Sequence, residues 1–447
     1  MILGKLSLAE IVERSERLLR LSPADATIVS WVESSRSQAV ESARSRRAEN
    51  HSTRIVVVRV REGRRTGFAR SEASDLGELQ TTLRQALAGA RAAAISPDWE
   101  WPRGSEQPLS AAGISSLHDP AIAALDAPAA LARLQQLADK RSSLRSHWAE
   151  HAVAVAASGR PTRAAAATEI SLEARTGRRP GSGFAAASSR TLAGLAFEGL
   201  VARAQALQAG EISEEIPPES APAVIAPEAA VALLELIARE IFSGRRFVAG
   251  QGPLADPSER RTLGVGVRLV DEPGDSAQLG FPFDLDGVAK LRRDLAHDGE
   301  LGGPALDLEL AARCGRLSTG HGVAGDEATP GNPQWLAGDE DESELLRRSA
   351  GGIRIGSLES LRCLPGPGLP FSAVARSVRR IDASGALAAA LPPLVWQGKL
   401  IDLLAAVDGV ARDRVLWIPG PQRAPGLSPA LRLNAVGELA SSREARG

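Results

Sequence analysis

The sequence predicts an α+β fold in two domains: an N-terminal helix-and-sheet domain over residues 1–215, and a C-terminal, mostly antiparallel β domain with a few helices over 216–447. Three observations carry this expectation. The chain has 447 residues, too many for one average core, and 43% of them are hydrophobic, enough to bury a core in each half. Helical and two-residue periodicities alternate along it, with strands joined mostly by hairpins, which favours α+β over a doubly wound sheet. The stretch ISEEIPPESAPAVIAPEAA at 212–230 carries four prolines, and proline removes an amide donor and fixes the backbone, so neither helix nor central strand is expected to pass through it and the boundary is set near residue 216.

In chain order, LSLAEIVERSERLLRL places Leu8, Ile11, Leu18 and Leu19 on one helical face with Glu and Arg opposite. ATIVSWVES and STRIVVVRVREGRRTGFARSE are rich in β-branched residues and break at Glu62-Gly63, giving strands and a turn. Helical periodicity returns over 76–95 and Pro97 ends it, a loop runs from Ser105 to Leu125, and a further helix spans 127–140. HAVAVAASGRPTRAAAATEISLEARTG and GSGFAAASSR then give strands joined at Ser158-Gly159 and between Gly177 and Gly183, before a helix from Leu192 to Ala209. Past the proline run come a helix at 228–243, short strands punctuated by Gly and Pro, and a last helix in KLIDLLAAV.

Composition narrows the partners. With 53 basic and 54 acidic side chains the formal charge is −1, so no net field draws in nucleic acid or anionic lipid. Lysine occurs only at Lys5, Lys140, Lys290 and Lys399 and tyrosine is absent, a coding bias that carries no chemistry. The two cysteines, Cys314 and Cys363, make no disulfide framework, the N-terminal segment has charges spread through an amphipathic pattern, and no stretch approaches the roughly 18 apolar residues that span a bilayer. A cytoplasmic protein with protein or peptide partners is expected.

The sharpest local motif is HWAEH, in which His147, Glu150 and His151 match the inverted zinc-protease pattern. The AVAVAAS that follows makes this a strand, where positions 147 and 151 lie about 13 Å apart, too far for two ligands of one ion. His297 and His321 fall in polar, turn-rich segments and are expected as exposed loop histidines. Cys363 has no His or Asp near it in sequence to lower its pKa, and is expected to be inert. TGRRPGSGF lacks the Gly-Lys-Ser/Thr ending of a phosphate loop, so it is a hairpin tip, and the acidic run at 338–352 suits a helix start whose arginines follow at the far end.

The order of these segments resembles the TldD/PmbA family, in which TldD is a zinc metallopeptidase and PmbA, also called TldE, its partner. In the N-terminal half the resemblance lies in RAENHSTRIVVVRVREGRRTGFARSE and LRQALAGARAA. In the C-terminal half it lies in VIAPEAAVALLELIAREIFSG, LVDEPGDSAQLGFPFDLDG, SELLRRSAGGIRIGSL and ARSVRRIDASGALAAALPPLVWQGKLIDLLAAV. Active members carry His-Glu-x-x-x-His on the helix equivalent to 235–244, so the resemblance puts the first histidine at Glu235, the general base at Leu236 and the second histidine at Glu240. All three are replaced, and the cysteine ligand that active members supply near the C-terminus has no counterpart in RVLWIPGPQRAPGLSPALRLNAVGE.

A zinc hydrolase needs imidazole or thiolate donors and a carboxylate to take the proton from bound water, and Leu236 can do neither. Glu235 and Glu240, five residues apart, point about 140° from each other on a helix. Leu234, Ile237, Ala238 and Ile241 form the expected buried stripe, and Glu235 pairs with Arg239. The resemblance therefore implies a noncatalytic, PmbA/TldE-like subunit with no cofactor of its own. It would pair with a TldD-like subunit that holds zinc, and the two would enclose a cleft for an extended or unfolded peptide. Two alternatives stay open: a zinc site relocated to His147, His151, His297 or His321, and a stand-alone homodimeric peptide-binding scaffold.

Overall fold

In the computed structural model, residues 6–95, 117–178, 180–275, 277–323, 327–420 and 423–441 are described. Pro97, most of the 105–125 loop and Arg179 of the TGRRPGSGF segment lie outside them. The N-terminal half is one antiparallel sheet built from β1 (Ala26–Ser42), β2 (Ser45–Glu62), β3 (Arg65–Ser71), β4 (Ser143–Ala157), β5 (Arg163–Thr176) and β6 (Gly183–Ser189). Its spatial order is β3-β2-β1-β4-β5-β6. β1 and β2 run further than the sequence suggested, pairing without a break from Ala26↔Arg61 to Ser42↔Ser45.

Successive side chains of a strand alternate between faces, and here each face has its own cover. Val29 and Trp31 of β1, Val58 and Val60 of β2 and Ala154 of β4 pack under α1 (Leu8–Arg20) and α2 (Leu76–Ala92). The α1 start is a capping box between Ser7 and Glu10, and Asp75 caps α2. Further along the same face, Leu144, Trp148, Ile170 and Leu172 pack under α3 (Pro120–Ala123), α4 (Ala127–Leu137) and α5 (Phe197–Ala206). The last of these is shorter than the expected 192–209 helix, because 191–194 form a turn closed by Gly194 N–H donating to Thr191 O.

The opposite face is covered by the C-terminal half. Ile28, Val153, Val155 and Ala165 form a core with Phe283, Val288 and Leu308 at one end. Phe184 and Ala186 do the same with Val231, Ala232 and Trp417 at the other, where Phe184 and Trp417 meet edge to face with centroids 5.9 Å apart.

Polar latches reinforce both seams. Arg59 of β2 pairs with Asp286 at 2.5 Å, and Ser30 Oγ donates to Leu285 O. The buried Arg190 guanidinium donates to the carbonyls of Gln278, Gly280 and Leu117, and burial pulls its pKa down to about 10. At the other seam Arg203 pairs with Glu228, whose carboxylate also accepts from Ala186 N–H, and Ile418 N–H donates to Ser188 Oγ.

Two sheets build the C-terminal half. The larger runs, in spatial order, through Glu300–Leu301, Arg293–His297, Leu269–Asp271, Pro333–Trp335, Gly426–Leu433, Ala223–Ile225, Ile353–Ile355, Arg379–Ile381 and Leu387–Ala390, with Val407–Trp417 paired to Gly426–Leu433. The smaller consists of Ser357–Cys363, Pro370–Arg376, Leu394–Lys399 and Glu438–Ser441. Pairing is antiparallel except where Ala223–Ile225 meets Ile353–Ile355 and where Gln334 meets Leu427.

The proline run departs from expectation here. Ala223–Ile225 is a central strand lying inside it, between Pro222 and Pro227. The prolines permit this because they flank the three residues: Pro222 supplies a carbonyl to Ile353 N–H, while Pro227 opens α6 (Pro227–Ile241), where a missing amide costs nothing.

The loop at the Arg59 latch holds an unusual acid. Asp284 Oδ1 accepts from the backbone N–H of Asp286 and Val288 and Oδ2 from Gly322, yet burial, and then the neighbouring Asp286, push its pKa from 3.8 up to about 7. The fold thus prefers the protonated acid, and this contribution is fully present below the unfolded value and lost as pH rises through 7. Melting temperatures across pH 4–8 should show wild type losing stability relative to Asp284→Asn as pH rises; a pH-independent difference between the two would contradict the assignment.

Candidate functional site

The helix α6 carries the candidate site. Every residue except Arg239 is buried, because the larger sheet covers one side and the smaller sheet the other; the expected single stripe of Leu234, Ile237, Ala238 and Ile241 is therefore only part of its buried surface. Glu235 and Glu240, which are not part of the expected stripe, are 6% and 9% exposed. Burying carboxylates is costly unless cations accompany them, and three arginines do.

Arg239 Nε lies 3.5 Å from Glu235 Oε1, the expected i,i+4 pair, and its Nη1 lies 2.9 Å from Glu240 Oε1, so one guanidinium spans both acids. Arg246, on the short helix Gly244–Val248 that Ser243 caps, donates to Glu240 Oε2 at 3.2 Å. Arg423 reaches in from the loop after Val407–Trp417 and donates to Glu235 Oε2 at 2.9 Å. Burial raises the Glu235 pKa, and Arg423 and Arg239 oppose that rise.

Zinc does not fit this arrangement. All four carboxylate oxygens already face guanidinium groups, and Leu236 is fully buried in the apolar core with no group to take up a proton. Cys363 lies by the Glu240 cavity, but burial, and then Glu240, raise its pKa and keep it a thiol. Among the described residues no three His, Cys, Asp or Glu side chains are grouped as a metal site.

The other sequence candidates are not brought to this point. HWAEH lies within β4, so alternation turns His147 and His151 toward the C-terminal half and Glu150 toward the helices, where it meets His118 at 3.2 Å. His151 is engaged on both ring nitrogens, with Ser34 Oγ at 2.8 Å and Glu169 Oε1 at 3.4 Å. Burial, and then Arg145, hold His147 at about 4. His297 is exposed at a strand end beside Asp298. His321, expected as an exposed loop residue, is instead 2% exposed, its Nε2 bonded to Asp271 Oδ2 at 2.6 Å and its Nδ1 to Thr319 Oγ1 at 2.8 Å.

Three cavities open around α6 and the loop that carries Arg423. One of about 450 Å³ holds Glu235, Arg175, Trp417 and Arg423; one of about 550 Å³ holds Glu240, Arg246 and Cys363; one of about 330 Å³ holds Arg36, His147, His151 and Arg423. The strand Ser357–Cys363, an edge of the smaller sheet with a bulge between Glu359 and Arg362, borders the first two. Arg423 lies in the stretch where the resemblance expects a ligand cysteine, and its position there is the one sequence signal that marks it.

Residues 218–437 match the family model described as PmbA/TldA metallopeptidase C-terminal domain. Over these residues the chain is a C-terminal domain of the TldD/PmbA family. Among solved structures it is similar to TldE from Thermococcus kodakarensis, at 17% identity and a TM-score of 0.78 over 97% of this chain and 100% of that one. A protein described as a candidate modulator of DNA gyrase from Thermotoga maritima gives 18% identity and 0.79 over 96% and 99% of the two chains. A second such protein, from Bacteroides thetaiotaomicron, gives 17% and 0.75 over 97% and 98%. At these identities the likeness establishes the fold. No curated protein matches the chain.

The ion-pair network in this TldD/PmbA-family helix is measurable. A double-mutant cycle of Glu235→Gln and Arg423→Gln in urea should return a coupling of about 1–2 kcal/mol, the range for a charged hydrogen bond at a partly exposed site. Strict additivity would show that the contact does not stabilise the fold.

Proposed function

We propose that this chain is the noncatalytic, PmbA/TldE-like subunit of a cytoplasmic peptidase, pairing with a separately encoded TldD-like subunit that holds zinc and performs hydrolysis. The observation that carries this is the Arg239 guanidinium held between Glu235 and Glu240, with Arg423 on the other oxygen of Glu235. Where active relatives place a cation held by neutral and thiolate donors, this chain has built its own cation into the polypeptide. The place of the water-activating glutamate is taken by Leu236.

The chain's contribution would be to the walls of the substrate cleft. The edge strand Ser357–Cys363 presents main-chain groups beside the Glu235 and Glu240 cavities, and pairing to such an edge holds an extended peptide with little dependence on its sequence. Phe184 and Trp417 offer an apolar surface at the same place. Among the described residues no helix is long and apolar enough to cross a membrane.

Purified alone, the chain should carry substoichiometric zinc by elemental analysis and should not cleave an unfolded casein or a short peptide. Co-expressed with the TldD-like protein of its own genome, it should co-purify and the complex should cleave. Stoichiometric zinc with turnover in the isolated chain would overturn the proposal, as would a stable homodimer that leaves the TldD-like protein unbound.

A further inference from the structure

The strip of sheet between the two apolar seams is polar, and it faces the smallest of the three cavities. Register places Gln38, His147 and Ser171 abreast on β1, β4 and β5, then Arg36, Ala149 and Glu169, then Ser34, His151 and Ala167. Ile418, Gly420, Ala424 and Pro425 of the C-terminal half close over them, leaving about 330 Å³. A chamber with one wall from each half, polar on the sheet side and apolar apart from Arg423 on the other, is built to take one side chain or one chain end of a ligand.

The groups in it sort into used and unused. His151 and Glu169 hold each other, and His151 also holds Ser34, so neither is open to a metal ion. Arg36 is exposed and lies near enough to Glu169 to help lower its pKa, yet among the described residues it makes no hydrogen bond or ion pair. His147 is turned toward the chamber, and its ring nitrogens have no partner among the described residues. Arg423 borders this chamber and the Glu235 cavity alike, and only its Nη1 is engaged, on Glu235, among the described residues. The unused capacity is therefore mostly donors: two guanidinium groups, one from each half, and the N–H of the His147 imidazole, whose other ring nitrogen accepts.

We propose that this chamber binds a carboxylate carried by an extended peptide, gripped between Arg36 and Arg423 with His147 as a third donor. A guanidinium fork matches a carboxylate in both geometry and charge, and the enclosed volume admits a terminal residue or an acidic side chain but not a folded surface. Because Arg423 is shared with the Glu235 cavity, a peptide lying along the edge strand would reach the chamber with its carboxylate end. The inference rests on the peptide-handling role and adds the feature of the peptide that is recognised. It holds equally for a C-terminal carboxylate and for an Asp or Glu side chain, and the test separates them.

Titration calorimetry on the full-length chain would use three probes: acetyl-tetra-alanine with a free C-terminus, the same peptide as its C-terminal amide, and acetyl-Ala-Ala-Asp-Ala amide. One of the two carboxylate peptides, or both, should bind at least about tenfold tighter than the neutral amide, the factor a charge-assisted hydrogen bond supplies. Binding of the first alone assigns a chain terminus, and binding of the third alone a side chain.

Arg36→Gln should remove the difference, and Arg36→Lys should keep part of it through the retained charge, both with unchanged melting temperature because Arg36 is exposed. Equal binding of the neutral amide, no binding of any probe, or full discrimination by Arg36→Gln would overturn the proposal. None of these outcomes bears on zinc content or co-purification, which decide the noncatalytic reading separately.

Discussion

The architecture depends on one constraint, the two-residue alternation of the N-terminal sheet. A six-stranded sheet has two faces to cover, and the local helices cover only one. The other is completed by residues later in the chain, Phe283 and Val288 at one end and Val231 and Trp417 at the other. The halves are thus joined by two apolar seams with a polar strip between them. The cavities around Glu235 and Arg36 lie where the covering is incomplete, so the cleft is a by-product of how the sheet is roofed.

The helix α6 shows how two carboxylates are reconciled with burial. Its place between two sheets fixes a dry environment, in which the carboxylates at 235 and 240 must be neutralised. Arginine suits this better than lysine, since a planar fork can face acids on two sides at once, as Arg239 does. The same burial that raises the Glu235 pKa makes its partnership with Arg423 a structural requirement, linking the C-terminal loop to the helix through charge.

Much of the fold was legible in the sequence. β-branched runs and Gly turns marked the strands of the first sheet, the strand character of HWAEH followed from AVAVAAS, and the hairpin tip at 177–183 came from its glycines. What the sequence withheld is what distant contacts decide. Nothing local marks Ala223–Ile225 as a central strand, because three residues between prolines have no detectable period. His321 belongs to a Gly-rich segment and looks solvated, yet Asp271, fifty positions earlier, draws it into the interior. Glu235 and Glu240 give α6 an amphipathic look that its double-sided packing contradicts. The replaced zinc motif was visible by resemblance, whereas the arginines that answer it come from three separate segments and became apparent only in space.

The mutual pairing of Glu235, Glu240, Arg239, Arg246 and Arg423 also bears on how this helix tolerates substitution. Replacing one member by a neutral side chain leaves its buried or half-buried partner without a counter-charge, so each single substitution lowers stability. The network therefore works as a mutual lock: each of the five side chains constrains the others, and the group tolerates coordinated substitutions better than single ones.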